Sequence, residues 1–173
     1  MTYETITLDI SGHIATITLN RPDAMNSFTR KMMDECAHAW RHIAETDDIH
    51  CAVLRAAPGR AFSTGVDVKA AMQPGGSVMH DNIWTAEDPG EKLGPKSNRC
   101  WKPVICAVNG MAAGGAFYWI NEADIVICSE DATFFDPHVT YGMTAALEPI
   151  GATYRMPLGD VLRMALLGND ERI

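Results

Sequence analysis

The sequence has no apolar run long enough to cross a bilayer, so no membrane-spanning helix is expected. Its opening stretch, MTYETITLDI, lacks the basic region and apolar block of a secretory signal, and a cytoplasmic setting is the expectation. Positive charge is scarce. Fourteen Lys and Arg face 22 Asp and Glu, a formal net charge of -8, with no basic cluster, which argues against nucleic acid. The five cysteines are scattered and form no CxxC, which suits free, mostly buried thiols in a reducing compartment. The six histidines form no HExxH and no His/Cys set has zinc spacing, so no metal site is expected. Internal repeats, low-complexity tracts and long runs of like charge are also missing. Gly and Pro are too few to suggest disorder. What remains is a chain of 173 residues, enough for one domain with a sizeable core.

Residues 4–20, ETITLDISGHIATITLN, alternate apolar and polar on both sides of Ser11-Gly12, which predicts a β-hairpin. RPDAMNSF follows as a loop. From Thr29 to Glu45 the residues Met32, Cys36, Trp40 and Ile43 recur at helical spacing, with Thr29 as the cap. CAVLRAA reads as a short buried strand broken by PGRAFSTG, and VDVKAAM as a short helix starting just after Gly65. Residues 73–99 are rich in Pro, Gly and Asp with few apolar anchors. They read as a long loop with a helical turn near Trp84, a length more often functional than idle. PVICAVNG and DIVICSE read as further buried strands, ATFFD as a short one, and LGDVLRMALL as a final helix. Continuously apolar strands alternating with helices imply α/β layering.

Two segments share one design. CAVLRAAPGRAFSTGVD and PVICAVNGMAAGGAF each run from a strand through a glycine-containing turn to a helix start. Such a start leaves backbone N–H groups unpaired with the positive end of the dipole behind them. Glycine lets a ligand approach that backbone with no Cβ in the way. Two such N–H groups aimed at one point make an oxyanion hole, which stabilises charge developing on a carbonyl oxygen. On spacing alone the alternative, that Gly114 and Gly115 serve close helix–strand packing or a plain turn, stays open.

The segments ITLNRPDAMNSF, RAFSTGVDVKA, KPVICAVNGMAAGGAF, ADIVICSEDATFFDPHVTYGM and RMALLGNDERI, in this order, resemble the enoyl-CoA hydratase/isomerase family, the crotonase superfamily. The resemblance runs from about Thr5 to Ile173. It implies a crotonase-like α/β fold of repeated ββα units, with residues 1–173 a single acyl-CoA-binding core domain. The family continues into further helices beyond LLGNDERI, so the chain is expected to be shortened after Ile173, with apolar Leu162, Met164 and Leu167 exposed unless another subunit covers them. A homotrimer or dimer of trimers is likewise implied. By the same resemblance the oxyanion donors are the N–H groups of Val66, after the glycine of AFSTGVD, and of Gly115, in the middle of Gly114-Gly115-Ala116. They would bind the thioester oxygen of an acyl-CoA and stabilise its enolate. Asp23, Ala24 and Met25 would run beside the pantetheine. Ala61 to Lys69, with Ala61, Phe62, Gly65, Asp67 and Val68, would border the adenine end. Arg21 and Arg60 are candidates for the phosphates. No cofactor is implied beyond coenzyme A as part of the substrate.

Hydratases of this family use two glutamates, one in a GGGxE pattern and one after a proline. Here Tyr118 and His138 stand at those places. Water addition needs a base and an acid flanking one water, so the four nearby candidates for acid/base work are His138, Asp136, Tyr118 and Glu148. His138 titrates near neutral pH. Glu148, in the apolar MTAALEPIG, suits a raised pKa. The reading is an acyl-CoA-processing enzyme, lyase or isomerase. The alternatives are an isomerase, decarboxylase or hydrolase using His138 or Glu148, and a non-catalytic acyl-CoA-binding homologue. A peptidase built on Ser63 would need a GxSxG elbow that the chain lacks.

Overall fold

The computed structural model describes residues 2–78, 84, 88–170 and 172–173. Strands β1 (Ile6–Ser11) and β2 (Ile14–Leu19) form the predicted antiparallel hairpin, turning at Gly12 with φ +56°. The large sheet continues in parallel through β3 (Cys51–Ala56), β5 (Val104–Val108) and β7 (Ile125–Cys128), in the order β1-β2-β3-β5-β7. Ile17, Leu54, Cys106 and Val126 lie in register across four strands. The first three of these are almost wholly buried.

Helix α1 (Arg30–Glu45) supplies the crossover from β2 to β3. The Thr29 side chain accepts from the Met32 N–H at 3.4 Å and so caps it. Its buried face holds the predicted stripe, Met32, Cys36, Trp40 and Ile43, together with Met33 and Ala39, and each large side chain there contributes about 1.5–3 kcal/mol by leaving water.

A second, three-stranded parallel sheet joins the short strand expected in ATFFD to two strands that the sequence reading did not expect. It consists of β4 (Ala61–Ser63), β6 (Met111–Ala113) and β8 (Thr133–Phe135), in the order β4-β6-β8. The segment PGRAFSTG therefore contains a strand as well as a turn. The pattern of long strand, short strand and helix recurs. β3 and β4 lead to α2 (Val68–Ala71), β5 and β6 to α4 (Phe117–Glu122), and β7 and β8 to α5 (Leu147–Ala152). The three short strands are parallel, so their C-terminal ends open on one side. That side is where Gly65, Gly114-Gly115 and Asp136–His138 follow.

Three expectations are corrected. Residues 88–99 are not a bare loop: α3 (Gly90–Leu93) packs on α1, Leu93 is fully buried, and Trp40 Nε1 donates to the Leu93 carbonyl at 2.7 Å. Val78 and Cys100 add further buried anchors. Trp84 itself is an exposed turn residue, and the rest of the helical turn expected around it falls outside the described residues. The strand DIVICSE is not buried on both faces. Among the described residues β7 is an edge strand with only β5 beside it, and Ile125 and Ile127 are exposed. The final helix, α6 (Leu158–Leu167), buries Val161 and Met164 and leaves Leu158, Leu162, Leu166 and Leu167 exposed. Met164, expected on the open face, is thus in the core. Among the described residues no helix is long and apolar enough to cross a membrane, and no group of three potential metal ligands occurs.

Candidate active site

The chain passes from β4 into Gly65 at φ +78° and from β6 into Gly114 at φ +51°. These two turns touch. A Cβ on Gly65 would lie 2.9 Å from the Gly115 nitrogen and 3.1 Å from the Ala113 oxygen. A Cβ on Gly115 would strike the Phe28 ring at 2.6 Å. Phe28 also forms a parallel bridge with Val66, through Phe28 N–H to the Gly65 oxygen (2.8 Å) and Asp67 N–H to the Phe28 oxygen (2.9 Å). That pattern passes over the Val66 N–H. Among the described residues neither the Val66 nor the Gly115 N–H takes part in a turn, loop or cap hydrogen bond. Close packing of the two turns is thus a consequence of these glycines.

The loop of residues 21–26 is fastened to β4. Met25 and Asn26 both have left-handed φ, 51° and 50°. The buried Asn26 side chain accepts from the Arg21 N–H (2.8 Å) and donates to the Ala61 oxygen (3.0 Å). Ser63 donates its hydroxyl proton to the Asn26 carbonyl at 2.9 Å and is fully buried, so it is a strut with no nucleophile's exposure. Arg21 is committed within the protein. It donates to the Ser27 carbonyl and pairs with Asp67 at 2.9 Å. Asp67 in turn caps α2 by accepting from the Ala70 N–H at 3.0 Å. Burial pushes the Asp67 carboxyl up, but these hydrogen bonds and the Arg21 charge hold it below the usual carboxylate range.

A cleft of about 800 Å³ runs over these turns. Of the residues singled out in the sequence, it brings together Asp23, Ala24, Met25, Gly65, Val66, Asp67, Val68, Gly115, His138 and Glu148, with Arg60 and Lys69 on its wall. Others do not line it, Arg21 and Ser63 among them. Ala61 and Phe62 are buried in the core, Phe62 edge-on to Trp119 with ring centroids 6.2 Å apart. Asp136 and Tyr118 stand behind the wall, each against a residue that does reach the cleft.

His138 and Glu148 are the titratable pair at the glycine turn. A Cβ on Gly114 would lie 3.9 Å from His138 Cε1. His138 Nδ1 bonds the Asp136 carboxylate at 2.5 Å, and the His138 N–H donates to the same oxygen at 2.9 Å. A carboxylate only accepts, so Nδ1 carries the proton and Nε2 is turned to Glu148, 3.7 Å from Oε1. The hydrogen bond that His138 donates to Asp136 raises the His138 pKa, against the opposing effect of burial. Burial raises the Glu148 pKa. The backbone of Glu148 is fixed by Asn121, whose amide donates to its carbonyl at 2.9 Å.

Sequence reading missed Phe28, Thr64, Met111, Tyr141, Met143, Asn169 and Arg172. All but Phe28 line the cleft, and Phe28 backs it. None carries a local signal. Arg172, for example, reaches the wall because Ile173 pairs with β8 at Phe134 (2.8 and 3.0 Å), which lays the guanidinium 4.5 Å over the Phe135 ring.

Comparison with known proteins follows the same lines. A family model described as enoyl-CoA hydratase/isomerase matches residues 9–169. The chain belongs to the enoyl-CoA hydratase/isomerase family. It is 33% identical over 164 residues to the (E)-benzylidenesuccinyl-CoA hydratase of Thauera aromatica, covering 94% of this chain and 62% of that protein. It is 31% identical over 181 residues to the 1,2-epoxyphenylacetyl-CoA isomerase of Escherichia coli, covering 96% of this chain and 63% of that protein. The crystal structure of an enoyl-CoA hydratase/isomerase from Mycobacterium paratuberculosis superimposes with a TM-score of 0.87 at 38% identity, over 99% of this chain and 65% of the other. The fold is therefore the crotonase fold, and the chain spans less than two thirds of the length of these relatives. Both hydratases and isomerases stand among them.

Proposed function

We propose that the protein binds an acyl-CoA in this cleft and moves a proton to and from the carbon next to the thioester carbonyl, the chemistry of a CoA-ester isomerase. The observation that carries this reading is the His138–Glu148 pair, 3.7 Å apart, beside the Gly114-Gly115 turn. The Val66 and Gly115 N–H groups hold the thioester oxygen. Donors placed where charge develops contribute about 10²–10³ each to such a rate. Glu148 takes the proton as a carboxylate. His138, held by Asp136, sets its charge and acts as the second acid/base group. General acid/base catalysis supplies about 10²–10⁴ more. Asp23, Ala24, Met25 and Val68 flank the coenzyme A arm, and no further cofactor enters the step. Water addition is the second reading, favoured because the pair offers both a base and an acid on one cleft wall. A homotrimer or dimer of trimers belongs to the same proposal, supported by the exposed Leu158, Leu162 and Leu166 of α6. A cytoplasmic setting is supported by five free cysteines.

The test is proton exchange at the α-carbon of butyryl-CoA in D2O. Exchange should fall about 10²–10⁴-fold in His138→Ala and in Glu148→Gln. Binding with no exchange in the wild-type chain would overturn the reading in favour of a non-catalytic acyl-CoA-binding protein or of decarboxylation or hydrolysis.

A further inference from the structure

On the reading above, His138 and Glu148 act at the carbon next to the thioester carbonyl. The acyl group then follows the wall built by β8 and the segments after it, and the coenzyme A arm follows Asp23–Met25 and Val68. The acyl wall is largely apolar, with Phe135, Met111 and Met143 on it. Arg172 is a cation set into that wall. Its backbone is pinned at the next residue, where Ile173 N–H donates to the Phe134 oxygen at 3.0 Å and Phe134 N–H to the Ile173 oxygen at 2.8 Å. The preceding turn is tied down too, because the Asn169 N–H donates to Thr140 Oγ1 at 3.0 Å.

The guanidinium lies 4.5 Å over the Phe135 ring, with Nη1 3.3 Å from Met111 Sδ. A thioether is a weak acceptor, and a ring face supplies no lone pair. Among the described residues no carboxylate pairs with Arg172. Arg21 is the contrast, spent on Asp67 and the Ser27 carbonyl. A neutral acyl tail along this wall takes water from the guanidinium and returns no acceptor. A carboxylate returns two oxygens in the geometry of the guanidinium fork. The reach is also suitable. Met111 stands three residues before Gly114 on β6, about 10 Å along the strand. A glutaryl or adipyl chain with a hydrogen bond of about 2.8 Å at each end spans a distance of that order. We propose that Arg172 selects acyl groups ending in a carboxylate, so that the substrate class is the coenzyme A monothioester of a dicarboxylic acid. This deepens the acyl-CoA reading above and rests on it.

The test is calorimetric titration of the wild-type chain, Arg172→Met and Arg172→Lys with glutaryl-CoA and adipyl-CoA, with pentanoyl-CoA and hexanoyl-CoA as neutral counterparts, and with free coenzyme A. Exchange of the α-protons of the same esters in D2O is followed alongside. At least one carboxylated ester should bind the wild-type chain about 10–100-fold more tightly than its neutral counterpart. Met keeps an apolar stem on Phe135 and removes the charge, so that ratio should fall to near one. Lys keeps the charge without the fork and should retain part of the ratio. Equal affinity of carboxylated and neutral esters for the wild-type chain overturns the proposal. A loss in Arg172→Met of the same size for every ester and for free coenzyme A also overturns it, and assigns Arg172 to the coenzyme A phosphates. A carboxylate preference that depends on Arg172, with no exchange of any ester, supports the proposal and overturns the isomerase reading alone.

Discussion

A methyl group on residue 65 would land 2.9 Å from the Gly115 nitrogen and 3.1 Å from the Ala113 oxygen, at φ +78°. Gly65→Ala therefore tests the contact of the two turns directly. A non-glycine residue in the left-handed region costs about 1–2 kcal/mol. Overpacking at a sub-3 Å contact, where backbone atoms leave nothing flexible to move, costs about 1–3 kcal/mol more. The reduced entropy of the unfolded chain returns about 0.4–1 kcal/mol. The net is a destabilisation of about 2–3 kcal/mol, and Tm falls by about 4–12 °C for a chain of this size. Relief by movement of Gly115 displaces one donor, which costs a further factor of about 10²–10³ in exchange rate. Gly12→Ala is the control. It shares the positive φ, +56°, but has nothing within 4 Å of the added carbon, so it should cost about 1 kcal/mol or less and leave exchange alone. Differential scanning calorimetry and the butyryl-CoA exchange assay read both quantities. Equal Tm losses in the two variants, with exchange in Gly65→Ala close to wild type, would refute the argument that these glycines are there for the contact.

Two further predictions concern pH. Glu35 on α1, 1% exposed, accepts from Thr5 Oγ1 (2.6 Å), Thr5 N–H (2.9 Å) and Glu4 N–H (3.0 Å). Burial pushes its pKa up, but these hydrogen bonds outweigh it and leave the pKa lowered. Its stabilisation is thus present above the ordinary glutamate value and lost as pH falls through the lower folded value. Glu35→Gln should cost about 1.5–3 kcal/mol at neutral pH, with the difference from wild type shrinking in acid, as measured by denaturant titration. Glu148 runs the other way. Its raised pKa gives a contribution fully present below the ordinary value of 4.5 and lost as pH rises through the folded value. Glu148→Gln should therefore match or exceed wild-type stability at neutral pH while losing exchange. A variant as inactive but less stable at neutral pH would count against a strained buried acid.

The legible parts of the fold were those specified within one element. The hairpin is written in a two-residue period around Gly12, and α1 in the spacing of Met32, Cys36, Trp40 and Ile43 below the Thr29 cap. Of the β4-β6-β8 sheet only the strand in ATFFD was expected, because AFS, MAA and TFF are three residues each, too short to show any period. The burial of β7 was misjudged for a related reason. An apolar run reports what could be covered, and only neighbours in space decide what is.

The site divides in the same way. The sequence by itself determined that Gly65 and Gly114-Gly115 end strands and begin helices, since that needs only glycine's freedom of φ and the order of residues. It also determined the short range of acid/base candidates, since few ionisable groups follow those turns. Only the tertiary structure decided that the two turns meet at van der Waals contact, because three separate strands must run parallel for their ends to coincide. It alone decided that Arg21 is spent on Asp67 and Ser27, that Asp136 holds His138 from behind, and that Glu148 stands 3.7 Å from the imidazole. Those are distances between residues far apart in the chain or turned by packing. A charge or a proton responds to distance and burial, which a linear order of residues does not contain.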